Sequence, residues 1–187
     1  MPWFRKSQLD PLAVTMCGVK LGDRLLVIGA GDTSLIAALA GKAGLTGRAC
    51  VLDASAGVTK SAASAVEREG ALVEASTAPW TLLPFDSQAF DVVVIRNVLP
   101  ALDADARLRT VQEVHRVLRA GGRAIAIDDT GRTGVAGLFA GDRGDSPYRR
   151  SGGATHVMEA AGFRGVRTLA EREGHAFVEG VKGNAEL

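Results

Sequence analysis

Leu25-Leu26-Val27-Ile28-Gly29-Ala30-Gly31-Asp32-Thr33-Ser34 is the stretch that decides the fold. Four bulky apolar residues in succession read as a strand buried on both faces, as in parallel sheets covered by helices. They run into a glycine turn, and the helix formers Ile36-Ala37-Ala38-Leu39-Ala40 follow at once. Strand, glycine turn and helix make the first unit of a doubly wound sheet. Glycine suits that turn because no side chain then stands between the backbone and a ligand over the strand's carboxyl end. Two glycines also serve tight turning alone, so the motif marks a nucleotide-like site only in company with other residues.

The rest of the chain repeats the unit. Asp10-Pro11 opens a short lead-in helix with Leu12, Val14, Met16 and Val19 on its apolar side. After the helix from Thr33 to Lys42, a second strand from Arg48 to Asp53 ends in an acid, 22 positions past Gly31. That carboxylate has two competing uses. It caps the next helix, or it accepts hydrogen bonds from both hydroxyls of a ribose at the strand's carboxyl end. Ser55 can supply the cap itself, which favours the ribose. A helix from Ser55 to Glu69 follows, with Val58, Ala62, Ala65 and Val66 inward, then a strand over 71–75 and a loop over 76–90. Phe90 to Ile95 is the fourth strand, with Arg96-Asn97 at its end. A helix from Asp103 to Arg119 carries Leu108, Val111, His115 and Leu118 on one stripe, and Gly121-Gly122 ends it before a fifth strand, Arg123 to Asp128. Residues 130–150 read as a long loop with one short helix over 135–139, of the kind that is functional or disordered. A helix from Ser151 to Ala161 and two strands, Phe163 to Leu169 and His175 to Val181, close the chain as an antiparallel hairpin. The expected fold is therefore α/β: a Rossmann-like, mostly parallel seven-stranded sheet with a C-terminal antiparallel hairpin, in one domain over 1–187.

Composition narrows the function. Lys and Arg total 22 against 21 Asp and Glu, a net charge of +1, and no basic stripe is interleaved with aromatics, which disfavours nucleic acid. No apolar run approaches the roughly 20 residues that cross a bilayer, and the N-terminus lacks the apolar core of a signal peptide. Cys17 and Cys50 have neither disulfide nor metal spacing, as expected in a reducing compartment. A cytoplasmic protein with no membrane partner and no metal is the expectation.

Read together, these pieces resemble the class I S-adenosylmethionine-dependent methyltransferases, in particular the small-molecule branch typified by ubiquinone and menaquinone methyltransferases. The resemblance spans about residues 20 to 183. It rests on the glycine turn, Asp53, Leu83-Pro84-Phe85 with Phe90-Asp91, and Ala161-Gly162-Phe163 before the hairpin. Its most specific piece is Glu113-Val114-His115-Arg116-Val117-Leu118-Arg119-Ala120-Gly121-Gly122, similar to the family's E-x-x-R-V-L-x-P-G-G with Ala120 for proline. The resemblance implies S-adenosylmethionine as cofactor, with Gly29, Ala30 and Gly31 beside its methionine part and Asp53 on the ribose. It implies Ala54 against the adenine face, Arg96 near the sulfonium, and Trp80 among the cofactor-binding residues. It also implies a small-molecule acceptor over the carboxyl ends of the fourth and fifth strands, near Asn97, Asp128, Asp129, Tyr148 and Arg149. Asp128-Asp129 has a plainer alternative as a turn cap, with the arginines merely solvated.

Three departures bear on activity. Val27 stands where the family has an acid two positions before the first glycine, Thr33 where it has a third glycine, and Pro79 where it has an aspartate for the adenine amine. Two missing charge-assisted hydrogen bonds, at about 1.5–3 kcal/mol each, correspond to about 10²–10⁴-fold in affinity. Asp32 is a candidate substitute, reaching the cofactor's ammonium. The alternative reading is a methyltransferase-like binding or regulatory protein without catalysis. A nicotinamide-dinucleotide domain is disfavoured by Ser34 in place of that motif's last glycine. The short lead-in leaves a cofactor mouth either open or covered by a second subunit, as in a homodimer. Methyl transfer needs positioning more than covalent help. Among bases, His115 lies on the apolar stripe, His156 on an exposed helix face, and His175 starts the last strand, away from the expected mouth.

Overall fold

In the computed structural model, which describes residues 11–130 and 147–184, seven strands form one sheet in the order β3-β2-β1-β4-β5-β7-β6. Chain order runs α1 (Pro11–Cys17), β1 (Arg24–Ile28), α2 (Thr33–Ala43), β2 (Arg48–Asp53), α3 (Ala56–Arg68), β3 (Glu74–Thr77) and β4 (Phe90–Arg96). After a 3₁₀ turn at Leu99–Ala101 come α4 (Ala104–Val117), β5 (Leu118–Asp129), α5 (Pro147–Arg150), α6 (Gly153–Ala160), β6 (Arg164–Arg172) and β7 (His175–Val181). Strands β1 to β5 are mutually parallel, and β7 lies antiparallel between β5 and β6. The expected Rossmann-like sheet and terminal hairpin are both present. The hairpin turn is only Glu173-Gly174, with φ 57° and 82°, the paired positive values that a two-residue turn of matching twist needs.

Two apolar layers sandwich the sheet. Leu26, Ile28, Val93 and Ile95 face a cluster completed by α4, α6 and Phe163, while Leu25, Val27, Val92 and Val94 face one completed by α1, α2 and α3. The alternation along β1 and β4 is why these strands read as unbroken hydrophobic runs. Glu179 on β7, buried between Arg123 at 3.3 Å and Arg167 at 2.9 Å, helps lash α1 to the sheet, because Arg123 also donates to the Cys17 carbonyl at 2.8 Å.

Four expectations need correction. The third strand is Glu74–Thr77 rather than 71–75: the chain first meets β2 where Glu74 pairs with Cys50, and the Glu74 carboxylate holds Arg48 at 2.6 Å. The apolar Ala71-Leu72-Val73 only approaches the sheet, and Leu72 is exposed. On α3 the buried residues are Thr59, Ala62 and Val66, with Val58 exposed; Thr59 tolerates burial because its hydroxyl donates to the Ser55 carbonyl at 2.9 Å. The helix α4 ends at Val117, and Gly121-Gly122 forms a bulge inside β5 instead of a helix stop. Main-chain bonds between this glycine pair and Lys182 hold the bulge. Tyr148-Arg149 belongs to the short helix α5 rather than to a loop, and the helix expected over 135–139 lies outside the described residues.

Asp91 pins the starts of three strands. It accepts from the Arg24 main chain at 2.8 Å and from the Arg24 and Arg119 guanidinium groups. Burial pushes its carboxyl up, but these donors outweigh that and hold it at about 2. Its folded value is thus below the unfolded one, so its contribution is full above about pH 4 and fades as the pH falls toward 2. We expect Asp91→Ala to lose about 2 kcal/mol at pH 7, with the melting-temperature gap from wild type closing below pH 3. A second test concerns Gly29, where φ is 93° and an added Cβ would lie 2.3 Å from the Arg96 carbonyl oxygen. Gly29→Ala should cost about 3 kcal/mol or more in denaturant unfolding. Gly22→Ala, strained at φ 87° but meeting nothing closer than 3.9 Å, should cost about 1 kcal/mol.

Candidate functional site

Parallel strands put the ends of β1, β2, β4 and β5 on one edge, and Asp32, Asp53, Arg96, Asp128 and Asp129 gather there. At the end of β1, Gly29 passes under the segment that leaves β4, and its N–H donates to the Leu52 carbonyl at 2.9 Å. Asp53, at the end of β2, accepts from Ala30 N–H at 3.0 Å on Oδ2 and from Ser55 N–H at 3.0 Å on Oδ1. The carboxylate therefore stitches the glycine turn to the start of α3. Ser55 itself accepts from Val58 N–H as the helix cap, so Asp53 is not consumed as one. Each Asp53 oxygen keeps a free lone pair. Gly31 is exposed, and an added Cβ there would meet nothing within 4 Å. Ala54 is exposed beside it.

These features fit an adenosine with free ribose hydroxyls: two acceptor oxygens at a strand end, next to an open glycine over which a ligand can lie. Trp80 sits beyond β3, half-buried against the core, with its indole N–H buried and unpartnered among the described residues. Where the family carries acids, the structure has Val27 buried in the core under the sheet and an exposed Pro79. Asp32 caps α2 through Leu35 N–H at 3.1 Å and lies 3.4 Å from Arg96. Each of its oxygens carries one bond, and its side chain is 31% exposed.

Arg96 connects this half of the edge to the next. Its side chain is 11% exposed, between Asp32 and Asp129, with Asp129 at 2.7 Å. Asn97, in the left-handed region at φ 56°, clasps Asp129: its amide donates to Oδ2 and accepts from the Asp129 N–H, each at 2.8 Å. His175 Nδ1 is 2.8 Å from the same carboxylate. Burial pushes the Asp129 carboxyl up, but Arg96, Asn97 and His175 hold it below the ordinary range. His175 is thus at the mouth, contrary to the sequence expectation. An antiparallel β7 begins where β5 ends, and Asp129 pairs with His175.

Asp128, one residue back, has the opposite fate. It is 7% exposed; Oδ2 accepts the Tyr148 hydroxyl at 2.7 Å, and Oδ1 is buried without a partner among the described residues. Burial raises its carboxyl to about 6, with Tyr148 and Arg96 only partly opposing. Burial and Asp128 together push the Tyr148 phenol up, so it keeps its proton and donates. The Arg107 guanidinium stacks 4.4 Å from the centre of the Tyr148 ring, a contact with no sequence signal. Arg149 donates to the Thr130 carbonyl at 3.1 Å and lies 3.5 Å from Glu171. Asn97, Asp128, Asp129, Tyr148 and Arg149 share the wall of one cavity of about 700 Å³, completed by apolar residues such as Pro100 and Val178. Gly29, Ala30, Gly31, Asp53, Ala54, Trp80 and Arg96 do not line it. His115 packs edge-on against Phe163 at 5.0 Å, half-buried and far from this edge, and burial lowers its pKa. Among the described residues no group of three His, Cys, Asp or Glu side chains is arranged to hold a metal, and no helix is long and apolar enough to cross a membrane.

The segments that carry the family resemblance touch one another. Glu113 accepts from Leu83 N–H at 2.8 Å, while Arg116 donates to the Phe85 carbonyl at 2.8 Å and the Leu83 carbonyl at 3.1 Å. One ion pair on α4, at 2.7 Å, thereby shapes the Leu83-Pro84-Phe85 loop that carries the chain from Trp80 to β4.

Comparison with known proteins agrees. No curated protein sequence matches the chain significantly. A methyltransferase from Aquifex aeolicus, described as dependent on S-adenosylmethionine, superposes with a TM-score of 0.74 at 19% identity, over 91% of this chain and 88% of that one. The mitomycin 7-O-methyltransferase MmcR gives 0.67 at 20% identity, over 91% of this chain and 53% of that one. The cyclase SpnF gives 0.69 at 17% identity, over 92% and 78%. The sequence profile of the methyltransferase domain matches residues 26–126. The chain belongs to that methyltransferase family, and its fold is that of the S-adenosylmethionine-dependent methyltransferase from Aquifex aeolicus.

Proposed function

We propose that the methyl acceptor is a small molecule bound in the cavity beside Asp128, and that Gly29, Ala30, Gly31, Asp53, Ala54, Trp80 and Arg96 form the cofactor side. Asn97, Tyr148 and Arg149 form the acceptor side. The observation that carries this reading is the division of one sheet edge by Arg96. An open glycine turn with a ribose-ready carboxylate lies on one side, and a cavity of about 700 Å³, the size of ordinary small-molecule sites, on the other. The relative named for a small-molecule reaction, the mitomycin O-methyltransferase, supports the same class of acceptor. The balanced charge and the lack of a basic stripe favour it over nucleic acid.

S-adenosylmethionine, when bound, supplies a methyl group on a sulfonium whose neutral thioether is an excellent leaving group. The protein's part is placement. Asp53 fixes the ribose, and Gly31 lets the backbone approach. Arg96 is a cation close to where another would sit, and Asp32 and Asp129 offset its charge. Asn97 and Arg149 orient the acceptor from β4 and α5.

Calorimetric titration with S-adenosylmethionine and its demethylated product tests the cofactor half. Asp53→Ala should weaken binding about 100-fold or more, since two hydrogen bonds to a charged group are lost. Gly31→Leu should abolish binding while leaving the melting temperature within about 2 °C, because the added side chain enters only the open space. Absence of binding at millimolar cofactor, or unchanged affinity in both variants, refutes the assignment. It leaves a methyltransferase fold used for another ligand, the reading that Val27 and Pro79 favour.

A further inference from the structure

Asp128 has a property that neither cofactor binding nor fold stability explains. A carboxylate oxygen buried without a donor is costly, and the ionised form wants one. Three other acids described at these strand ends have donors on both oxygens: Asp53 from two amides, Asp32 from a helix start and Arg96, and Asp129 from Arg96 and Asn97. Asp128 has Tyr148 on Oδ2 and nothing on Oδ1 among the described residues, although it is part of the cavity wall. Apolar side chains such as Pro100, Ala101, Ala154 and Val178 make up much of the remaining wall. A group that enters the cavity with an O–H to donate meets this half-satisfied carboxylate in a wall that also carries Asn97, Asp129, Thr155, Thr168 and Glu171.

We propose that the cavity takes an aromatic or enolic acceptor with an acidic hydroxyl, and that Asp128 is the base that removes its proton during methyl transfer. This rests on the reading of the cavity as the acceptor site. The hydroxyl proton passes to Asp128 Oδ1 as an oxygen lone pair forms the new O–CH₃ bond. The S–CH₃ bond breaks with its pair left on sulfur, and the proton then goes to water. Tyr148 is a positioning residue: it stays protonated, donates to Oδ2 and leaves Oδ1 as the basic atom. The carboxyl's raised value suits a base for a phenol rather than an aliphatic alcohol, whose proton is too weakly acidic to match it. The charged and titratable groups around it are Arg96 from β4, Asp129 on its own strand, Tyr148 and Arg149 from α5, Arg107 behind Tyr148, Glu171 from β6 and His175 from β7. Of these, Arg96 and Arg149 lower its pKa and Asp129 raises it.

The test compares two aromatic acceptors in the whole protein with S-adenosylmethionine: 1-naphthol, which must lose a proton, and the smaller thiophenol, already an anion at pH 8. Asp128→Asn should lower kcat for 1-naphthol by about 10²–10⁴-fold with KM little changed. The same variant should raise thiophenol methylation, because a buried negative charge beside the thiolate is gone. The wild-type rate with 1-naphthol should fall below about pH 6, and Tyr148→Phe should move that limb upward, since the lost hydrogen bond had favoured ionisation. Asp128→Asn should melt no lower than wild type at pH 7.5, because the buried charge it removes is only half-satisfied. Equal loss of both substrates would make Asp128 merely structural and overturn the proposal, as would full 1-naphthol activity in Asp128→Asn. So would failure of wild type to bind or methylate 1-naphthol while it binds S-adenosylmethionine. Titration with 1-naphthol without cofactor separates the two readings. Binding that weakens below pH 6 in wild type but not in Asp128→Asn upholds the acceptor assignment even if the cofactor does not bind.

Discussion

The active edge depends on the close crossing at Gly29. The turn that leaves β1 passes directly under the backbone leaving β4, so close that a single methyl group would overlap the Arg96 carbonyl. That contact fixes how far Arg96 and Asn97 stand from the glycine turn. It lets one arginine reach Asp32 on one side and Asp129 on the other. Gly31 has a different job. It has room for a side chain and no contact to avoid, so what favours glycine there lies outside the packing of the described residues.

Electrostatics then divides the edge. Asp128 and Asp129 are neighbours, yet the pleat sends them into different surroundings. Asp129 finds a guanidinium, an amide and an imidazole and stays ionised; Asp128 finds a phenol on one oxygen and nothing described on the other. Two acids whose environments push them apart are the usual signature of divided labour in a site. Their difference comes from partners on β4, α5 and β7, and nothing in the string Asp128-Asp129 foretells it.

The motifs have a physical account as well. Glu113 and Arg116 form a clamp from α4 onto the main chain of the loop from Leu83 to Phe85. A charged pair three residues apart on a helix is worth little in isolation. Tied to three main-chain groups of a loop that has no secondary structure of its own, it gives that loop one conformation. The two segments read as separate pieces of resemblance because the sequence shows spacing and hides contact.

The sequence by itself determined the architecture: buried apolar runs of strand length, each followed by a turn and a helical pattern, admit few arrangements other than a parallel sheet with crossovers. It also determined the place of Asp53 at the end of β2, because a strand's last residue needs only the strand to be placed, and Ser55 as the cap of α3. Tertiary structure decided the rest. The start of the third strand was set by pairing with β2, which overrode the apolar pull of Ala71-Leu72-Val73. The glycine pair after α4 became a bulge because Lys182, from the far end of the chain, supplies its partner bonds. His175 reached the mouth because β7 runs antiparallel to β5, and Tyr148 met Asp128 across 20 residues of sequence. Local periodicity reports which face a residue prefers, whereas the pKa of a buried carboxylate reports who stands beside it, and only the folded chain supplies those neighbours.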